Sequence, residues 1–499
     1  MDIVAEVNGY INKVVWDLGL VGLICIGVAL VVLLKAFQFS HIGLVFKKTI
    51  GSLFKKNRKE NEDEKSISPF QAICTSLAAA VGTGNVIGVS VAIVTGGAGA
   101  IFWMWIAALI GMIVSFAENI LGIYFRRKNE NGEWVGGPMY YLRDGLGKFK
   151  RCKVLGSVLA ILFCIFTIIA SFGIGCMAQA NQISNNLINA FPIEGLQNIQ
   201  LGSTGINLYQ ILIGIVVAGL IFLICYGGIK RIAKFADIVT PIMVGLFLVG
   251  SIIVICFHIQ NVPEAFKCIF VNAFSPKAVI GGGIGAVILQ GFKKGTFSNE
   301  SGLGSIVMVN VNSNIKEPVE QGMWGILLVF IDTIVICSIT ALVVLTSGLY
   351  NLETGTLVEG VQQVTLVAES FDTVFSWAQI GSKFVAICML LFAFSTMVGW
   401  NHYGSTAVEY LCGKKLVLPY RILYSFIVLV GAFLATDLVW DISDTFNALM
   451  MMPNLVGIIA LIKPTIQITR NYILRVKKNS DVKPILTYEE DPKFAEMNE

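Results

Sequence analysis

Ala78-Ala79-Ala80-Val81-Gly82-Thr83-Gly84-Asn85-Val86-Ile87-Gly88 sits inside an apolar run, 70–95, long enough to cross a lipid bilayer. Its glycines argue against one continuous helix. Each costs about 1 kcal/mol relative to alanine in a helix interior, and Gly82, Gly84 and Gly88 cluster beside Thr83 and Asn85. We read an unwound segment in mid-span. Backbone N–H and C=O groups released at membrane depth are tolerated only where they line a cavity or a packed protein interior. A second run, 278–305, has the same character: Gly281-Gly282-Gly283-Ile284-Gly285, then Gln290-Gly291-Phe292-Lys293-Lys294-Gly295-Thr296-Phe297-Ser298-Asn299-Glu300.

Around these two runs the chain reads as a polytopic membrane protein. Of its 499 residues 55% are hydrophobic and only 14% charged, against roughly 45–50% and about 25% in soluble domains. Eleven apolar windows occur, at 18–37, 70–95, 98–124, 153–190, 207–227, 233–258, 278–305, 320–347, 377–411, 417–435 and 439–462. The window 153–190 is longer than a crossing needs and must tilt or protrude. No cleaved leader is expected, because 18–34 is too long for a signal sequence and no small-residue cleavage site follows it.

Lys and Arg alternate from loop to loop. One set of loops carries the run Lys47–Lys65, then Arg126, Arg127, Lys128, Arg143, Lys148, Lys150, Arg151 and Lys153, then Lys230, Arg231, Lys234, Lys316, Lys414, Lys415, Arg421 and Lys463. The opposite set holds Lys13, Lys267 and Lys277, and loop 349–376 has acidic residues but no basic one. Basic loops stay cytoplasmic, which places the N-terminus outside and the C-terminus inside the cell membrane. The same loops face lipid headgroups, and no nucleic-acid partner is expected.

The broken runs open two blocks of five spans, and the odd number of crossings between them makes the blocks enter from opposite sides. That is the pattern of an inverted repeat with its site at the broken helices. Glycines also allow close helix packing, but two clusters at equivalent places, both beside polar residues, favour a site. The expected architecture is all-α: an extra N-terminal helix (1–40), a basic loop (41–69), two five-helix repeats (70–258 and 259–465) and a cytoplasmic tail (466–499).

An unwound helix offers free N–H groups on one half and free carbonyls on the other. The first suit a carboxylate, the second a sodium ion or an ammonium. Gly82, Thr83, Gly84 and Asn85 would supply such a site, and no Asp or Glu lies in 78–95. A small neutral zwitterion fits. On the ninth span Thr396 and Trp400 share a helix face, so Ser395 and Thr396, set opposite the carbonyls near Ala80 and Val81, form a neutral oxygen cage for Na⁺. Trp400 and Phe297 would close the pocket, near Ser298, although Trp400 can equally be a packing aromatic. Gln179 either serves the ligand or bonds a neighbouring helix. Among buried acids, Glu300 is read as capping backbone N–H groups, Glu118 and Glu409 as pairing with basic residues, and Asp332 as the candidate for a proton or sodium role.

Enzyme chemistry is poorly served: the histidines are His41, His258 and His402, and no hydrolase, zinc or phosphate-loop motif occurs. The eleven cysteines, mostly within apolar runs, read as small apolar fillers, with Cys268 alone in an outer loop. A passive channel would need a filter string or a charged ring, and neither is found.

The strings GTGNVIGVSVAI (82–93), GGPMYYL (136–142), CMAQANQIS (176–184) and QGFKKGTFSNESGLGS (290–305) resemble the alanine or glycine:cation symporter family, in order, over about 70–440. The resemblance implies symport of alanine, glycine or a similar amino acid with Na⁺, or with H⁺ in an otherwise alike permease or exchanger, on the fold of the bacterial leucine transporter. It also implies one sodium at Ala80 and Asn85 and a second at Ser395 and Thr396. Ser301 stands where the family usually has Ala after FSNE, and Cys176 interrupts the polar run before Gln179, which bears on selectivity for the substrate side chain.

Overall fold

The computed structural model describes residues 2–54, 65–149, 151–200, 206–274, 283–434, 437–478 and 480–488. In chain order its principal helices are α1 (Asp2–Leu33), α2 (Pro69–Ala80), α3 (Ile87–Gly96), α4 (Ala100–Tyr124), α5 (Lys153–Phe172), α6 (Ala178–Ala190), α7 (Leu208–Tyr226) and α8 (Gly228–Phe257). There follow α9 (Val262–Phe274), α10 (Gly283–Asn299), α11 (Pro318–Val329), α12 (Ser338–Thr346), α13 (Ile380–Cys412), α14 (Val417–Leu434), α15 (Asp437–Ala460) and α16 (Ile462–Lys478). Wide turns of π-helix, Gly173–Met177 and Phe330–Cys337, join α5 to α6 and α11 to α12, so each pair crosses as one rod. Among the described residues nine helices are long and apolar enough to cross a membrane.

Local sequence sets the starts. Ser68 and Gln71 form a reciprocal capping box on α2, with Pro69 in the first turn, and Asn207 and Gln210 do the same for α7. Lipid then replaces water as the outer solvent. Along α7 the large apolar residues Val216, Leu220 and Leu223 are exposed while Val217 and Ile221 are buried, a helix apolar on all faces. By contrast α13 is enclosed by protein from Ser395 through Val408, which makes it the central post of the bundle.

Several elements depart from the reading of the sequence. The helix in window 18–37 already begins at Asp2 and ends at Leu33. The window 70–95, by contrast, is broken where its glycines imply, into the half-helices α2 and α3. Gly281, Gly282 and Lys277, and the basic residues at 55–59, lie outside the described residues. Gly285, Gly291 and Gly295 fall within α10, which runs without interruption to Asn299. The second break comes later, at 300–306. Cys268 is not in an open loop but buried on α9, and the tail from 462 to 478 is helical.

The basic loops gather at one end of the bundle and bind one another. Lys48 pairs with Glu320 at 2.7 Å, Arg475 with Glu317 through two 2.7 Å bonds, and Lys414 with Glu133 at 2.5 Å. Buried Arg126 donates to the carbonyls of Val311, Ser313 and Ile315 at 3.0, 2.6 and 2.7 Å. Every one of these contacts joins two members of the set of loops that the Lys/Arg count groups together.

Candidate binding site

Between α2 and α3 the chain is extended at Val81 and Gly82 and makes a single 3₁₀ turn at Thr83–Asn85. The Gly82 N–H donates to Asn85 Oδ1 at 3.1 Å, and Asn85 Nδ2 donates to Asp332 Oδ1 at 2.8 Å. The other Asp332 oxygen accepts from Ser298 at 2.8 Å and Thr333 at 2.9 Å. Asp332 lies in the π-helical turn between α11 and α12, the kind of local widening that recurs at functional sites. One buried carboxylate thus ties the first break to α10 and to the α11–α12 rod. Among the described residues, no acceptor meets the N–H groups of Gly84, Ile87 and Gly88. These orphan donors, at the start of α3, form a pole for negative charge.

The second break is built by backbone conformation. Glu300, Gly302 and Gly304 have φ of +54°, +85° and +77°, a left-handed region open to glycine and strained for glutamate. Ser305 Oγ donates to Glu300 Oε2 at 2.5 Å, and the Ser301 N–H donates to Asn299 Oδ1 at 3.0 Å. Because α10 ends at Asn299, no backbone N–H among the described residues meets the carbonyls of Phe297, Ser298 or Asn299. That end is an acceptor pole. Glu300 caps no backbone N–H, and Glu118 has no basic partner: it accepts from Asn454 Nδ2 at 2.5 Å and from the backbone of Gly302 and Gly304. The reason is the same for both, since the strained turn brings its own donors to these acids. Glu409, for its part, accepts from Asn129 Nδ2 at 3.1 Å.

The two breaks meet at a small cavity of about 20 Å³, lined among others by Ala80, Gly82, Gly84, Gln179, Phe297, Ser298, Glu300, Thr396, Trp400 and Asn447. It has room for about one water molecule. A vestibule of about 380 Å³ adjoins it, lined by Thr83, Gly84, Ile87, Lys293, Phe297 and Asp444. Gly84 and Phe297 line both spaces, so one ring divides them. At the other end of the bundle, where the basic loops gather, a cavity of about 350 Å³ is lined by Met308, Asn312, His402, Glu409, Lys414 and Arg421. It shares no lining residue with the small cavity. Burial pushes the Glu133 carboxyl there upward, but hydrogen bonds from Lys414 and Asn129 outweigh this and hold it below the usual value.

Thr396 stands over the end of α2, its hydroxyl 3.3 Å from the carbonyl of Ala78 and 3.5 Å from that of Val81. A Cβ on Gly82 would come within 2.7 Å of that hydroxyl. Ser395 is not brought to this place: its hydroxyl donates to Phe392 O at 2.9 Å and faces Met243 Sδ at 3.3 Å. One residue along a helix is a turn of about 100°, which sends Ser395 toward α8. Trp400 stacks edge-on against Tyr403 at 5.3 Å between ring centres and lies against Gly175, where a Cβ would come within 2.4 Å of it. Gln179 gives its Nε2 to Ile174 O at 3.1 Å and leaves Oε1 unpaired. Asn447, which the sequence reading missed, lines the cavity with an unpaired Oδ1; its one signal was an amide in the middle of an apolar window.

Half-helices that break on either side of a small cavity, in a bundle of apolar helices long enough to cross a membrane, are the arrangement of a membrane transporter with a central site. The solved structure of MhsT in complex with L-phenylalanine is similar in fold, with a TM-score of 0.53 at 14% identity over 81% of this chain and 98% of that one. The sodium:alanine symporter family matches residues 1–485, and the chain belongs to it. It is 37% identical to the sodium/alanine symporter AgcS of Methanococcus maripaludis, over 92% of this chain and 95% of that protein. It is 35% identical to the probable sodium/glutamine symporter GlnT of Bacillus subtilis, over 96% and 93% respectively. The protein is therefore a Na⁺-coupled amino-acid symporter and not an enzyme.

Proposed function

We propose that this symporter carries small neutral amino acids, alanine or glycine first and glutamine as a larger alternative, into the cell with Na⁺. The observation that carries the reading is the small cavity set between an N–H pole at Gly84–Gly88 and a carbonyl pole at Phe297–Asn299. A zwitterion satisfies both poles at once; the space holds about one water molecule as it stands, so Phe297 or Trp400 moves to admit the ligand, and a short side chain asks the least of that movement. Gly82, Thr83, Gly84, Asn85, Gln179, Phe297, Ser298 and Trp400 form the substrate site. Thr396 with the Ala78–Val81 carbonyls forms the Na⁺ site, the relatives named for sodium, alanine and glutamine supporting this reading. Purified protein in proteoliposomes should accumulate labelled alanine when a Na⁺ gradient is imposed and fail to do so when K⁺ replaces Na⁺. Accumulation driven by a pH gradient alone would make the coupling ion H⁺, and downhill equilibration alone would make the protein a passive channel.

The vestibule next to Phe297 faces outward in this reading, and the basic loops face the cytoplasm, with the N-terminus outside. Eleven crossings and the repeat boundaries 70–258 and 259–465 go with it. A cysteine placed in 349–376 of a cysteine-free variant should react with an impermeant maleimide on intact cells, and one placed in 55–65 only after permeabilisation. The opposite pattern rejects the orientation.

A further inference from the structure

Glu300 is buried to 4% exposure and lines the cavity, yet among the described residues no basic side chain pairs with it. Its hydrogen-bond partner is Ser305 Oγ, and the Trp400 indole and the Tyr403 hydroxyl, which has no other partner within bonding distance, face the same carboxylate. The ionisable groups that act on it are acids: Asp332 from the α11–α12 turn and Glu118 from α4. Among the described residues no Lys, Arg or His forms an ion pair with any of the three. A carboxylate held from water without a counter-charge is costly, so such a group either keeps a proton or is completed by a cation.

Two further groups line the same space. Gln179 is 5% exposed and Asn447 2% exposed, both line the cavity, and in each the amide oxygen is without a partner. They come from separate elements, α6 and α15, and converge with Glu300 and the free carbonyls at the end of α10. Buried amide oxygens are nearly always hydrogen-bonded, so the cavity is lined by one carboxyl group and two acceptors awaiting donors.

We propose that Glu300, with the amide oxygens of Gln179 and Asn447, forms an ammonium site that takes the protonated amine of the substrate. The inference rests on the amino-acid reading of the cavity and deepens it. An ammonium group carries three donors in a compact head, which matches one carboxylate oxygen and two amide oxygens. The substrate carboxylate then lies toward Gly84–Gly88, whose orphan N–H groups lie on the vestibule side of the cavity. Charge on Glu300 separates amino acids from hydroxy acids of equal size, because a hydroxyl brings one donor and no charge.

The test is equilibrium binding of labelled alanine to the full-length purified protein in Na⁺, with unlabelled lactate as competitor. Wild type should bind alanine and be insensitive to lactate. Glu300→Gln keeps the shape and removes the charge; alanine affinity should fall about 10–100-fold, the range for a hydrogen bond to a charged group, and the preference over lactate should shrink by the same factor. Gln179→Leu and Asn447→Leu leave Glu300 in place and remove one acceptor each. Both should weaken alanine about tenfold, which keeps the proposal open to test if Glu300→Gln does not fold. Unchanged alanine affinity in both leucine variants overturns the proposal. So does a Glu300→Gln protein that still prefers alanine over lactate as fully as wild type, whether or not it needs more Na⁺, since Glu300 would then serve something other than the amine. Absence of alanine, glycine or glutamine binding by wild type would instead reject the reading of the substrate itself.

Discussion

Uptake of alanine by Gly84→Val should fall to background while the protein still reaches the membrane. A Cβ at Gly84 already lies 3.3 Å from the Phe297 ring, and the two methyls of valine extend about 1.5 Å further into the cavity. Either the ring is displaced or the 3₁₀ turn shifts, and both occupy the space of about 20 Å³ on which substrate binding depends. Overpacking of this kind costs about 1–3 kcal/mol, less than the usual folding stability of about 5–15 kcal/mol. Loss of function with normal expression and a monodisperse profile in detergent is therefore the expected pair of results. Normal uptake by Gly84→Val would mean that the substrate binds elsewhere.

Thr396→Val should raise the Na⁺ concentration needed for half-maximal uptake about 10–100-fold, the equivalent of about 1.5–3 kcal/mol for a bond to a charged group. Valine keeps the volume of threonine and removes the one hydroxyl that faces the Ala78 and Val81 carbonyls. Uptake at saturating Na⁺ should be largely recovered, which separates a lost ion ligand from a damaged fold. The neighbouring change, Ser395→Ala, serves as the control. Its hydroxyl bonds Phe392 O within its own helix, so the Na⁺ dependence should stay near that of wild type. If Thr396→Val leaves the Na⁺ requirement unchanged, the ion is held by other groups.

The membrane class, the all-helical repeat architecture and the first break were legible because they rest on patterns that bilayer physics makes strict. Glycines at 82, 84 and 88 mark a real interruption. The glycines at 285, 291 and 295 did not, although they looked alike in sequence. In the structure a Cβ on Gly291 would come within 2.5 Å of the Ala100 carbonyl, and one on Gly295 within 3.2 Å of the Ala107 Cβ. These residues let α10 press against α4. The conformations that break the helix belong to Glu300, Gly302 and Gly304 instead, and a sequence does not show which glycine is used for space and which for a positive φ. Ser395 was placed with Thr396 by adjacency, which ignores the rotation between successive helical residues. Asn447 and the lining role of Glu300 were hidden because they depend on helices distant in the chain, α10 and α15, meeting at one level.

The thickness of material on the two sides of the cavity sets two different clocks. Toward the vestibule the barrier is the Phe297 ring, and a rotamer change of one side chain takes place in picoseconds to nanoseconds once there is room. Toward the basic loops the path is filled by the Glu300–Asn310 segment and the Trp400–Tyr403 turn. That segment continues into the stretch fastened by Arg126, and Glu317 beyond it is held by Arg475. Clearing it needs whole helices to move, a microsecond-to-millisecond event. A molecule in the cavity would thus exchange many times with the vestibule for each time it is released at the far end. Selection among competing amino acids is then made near equilibrium, by residence time, before the slow step commits one of them to passage.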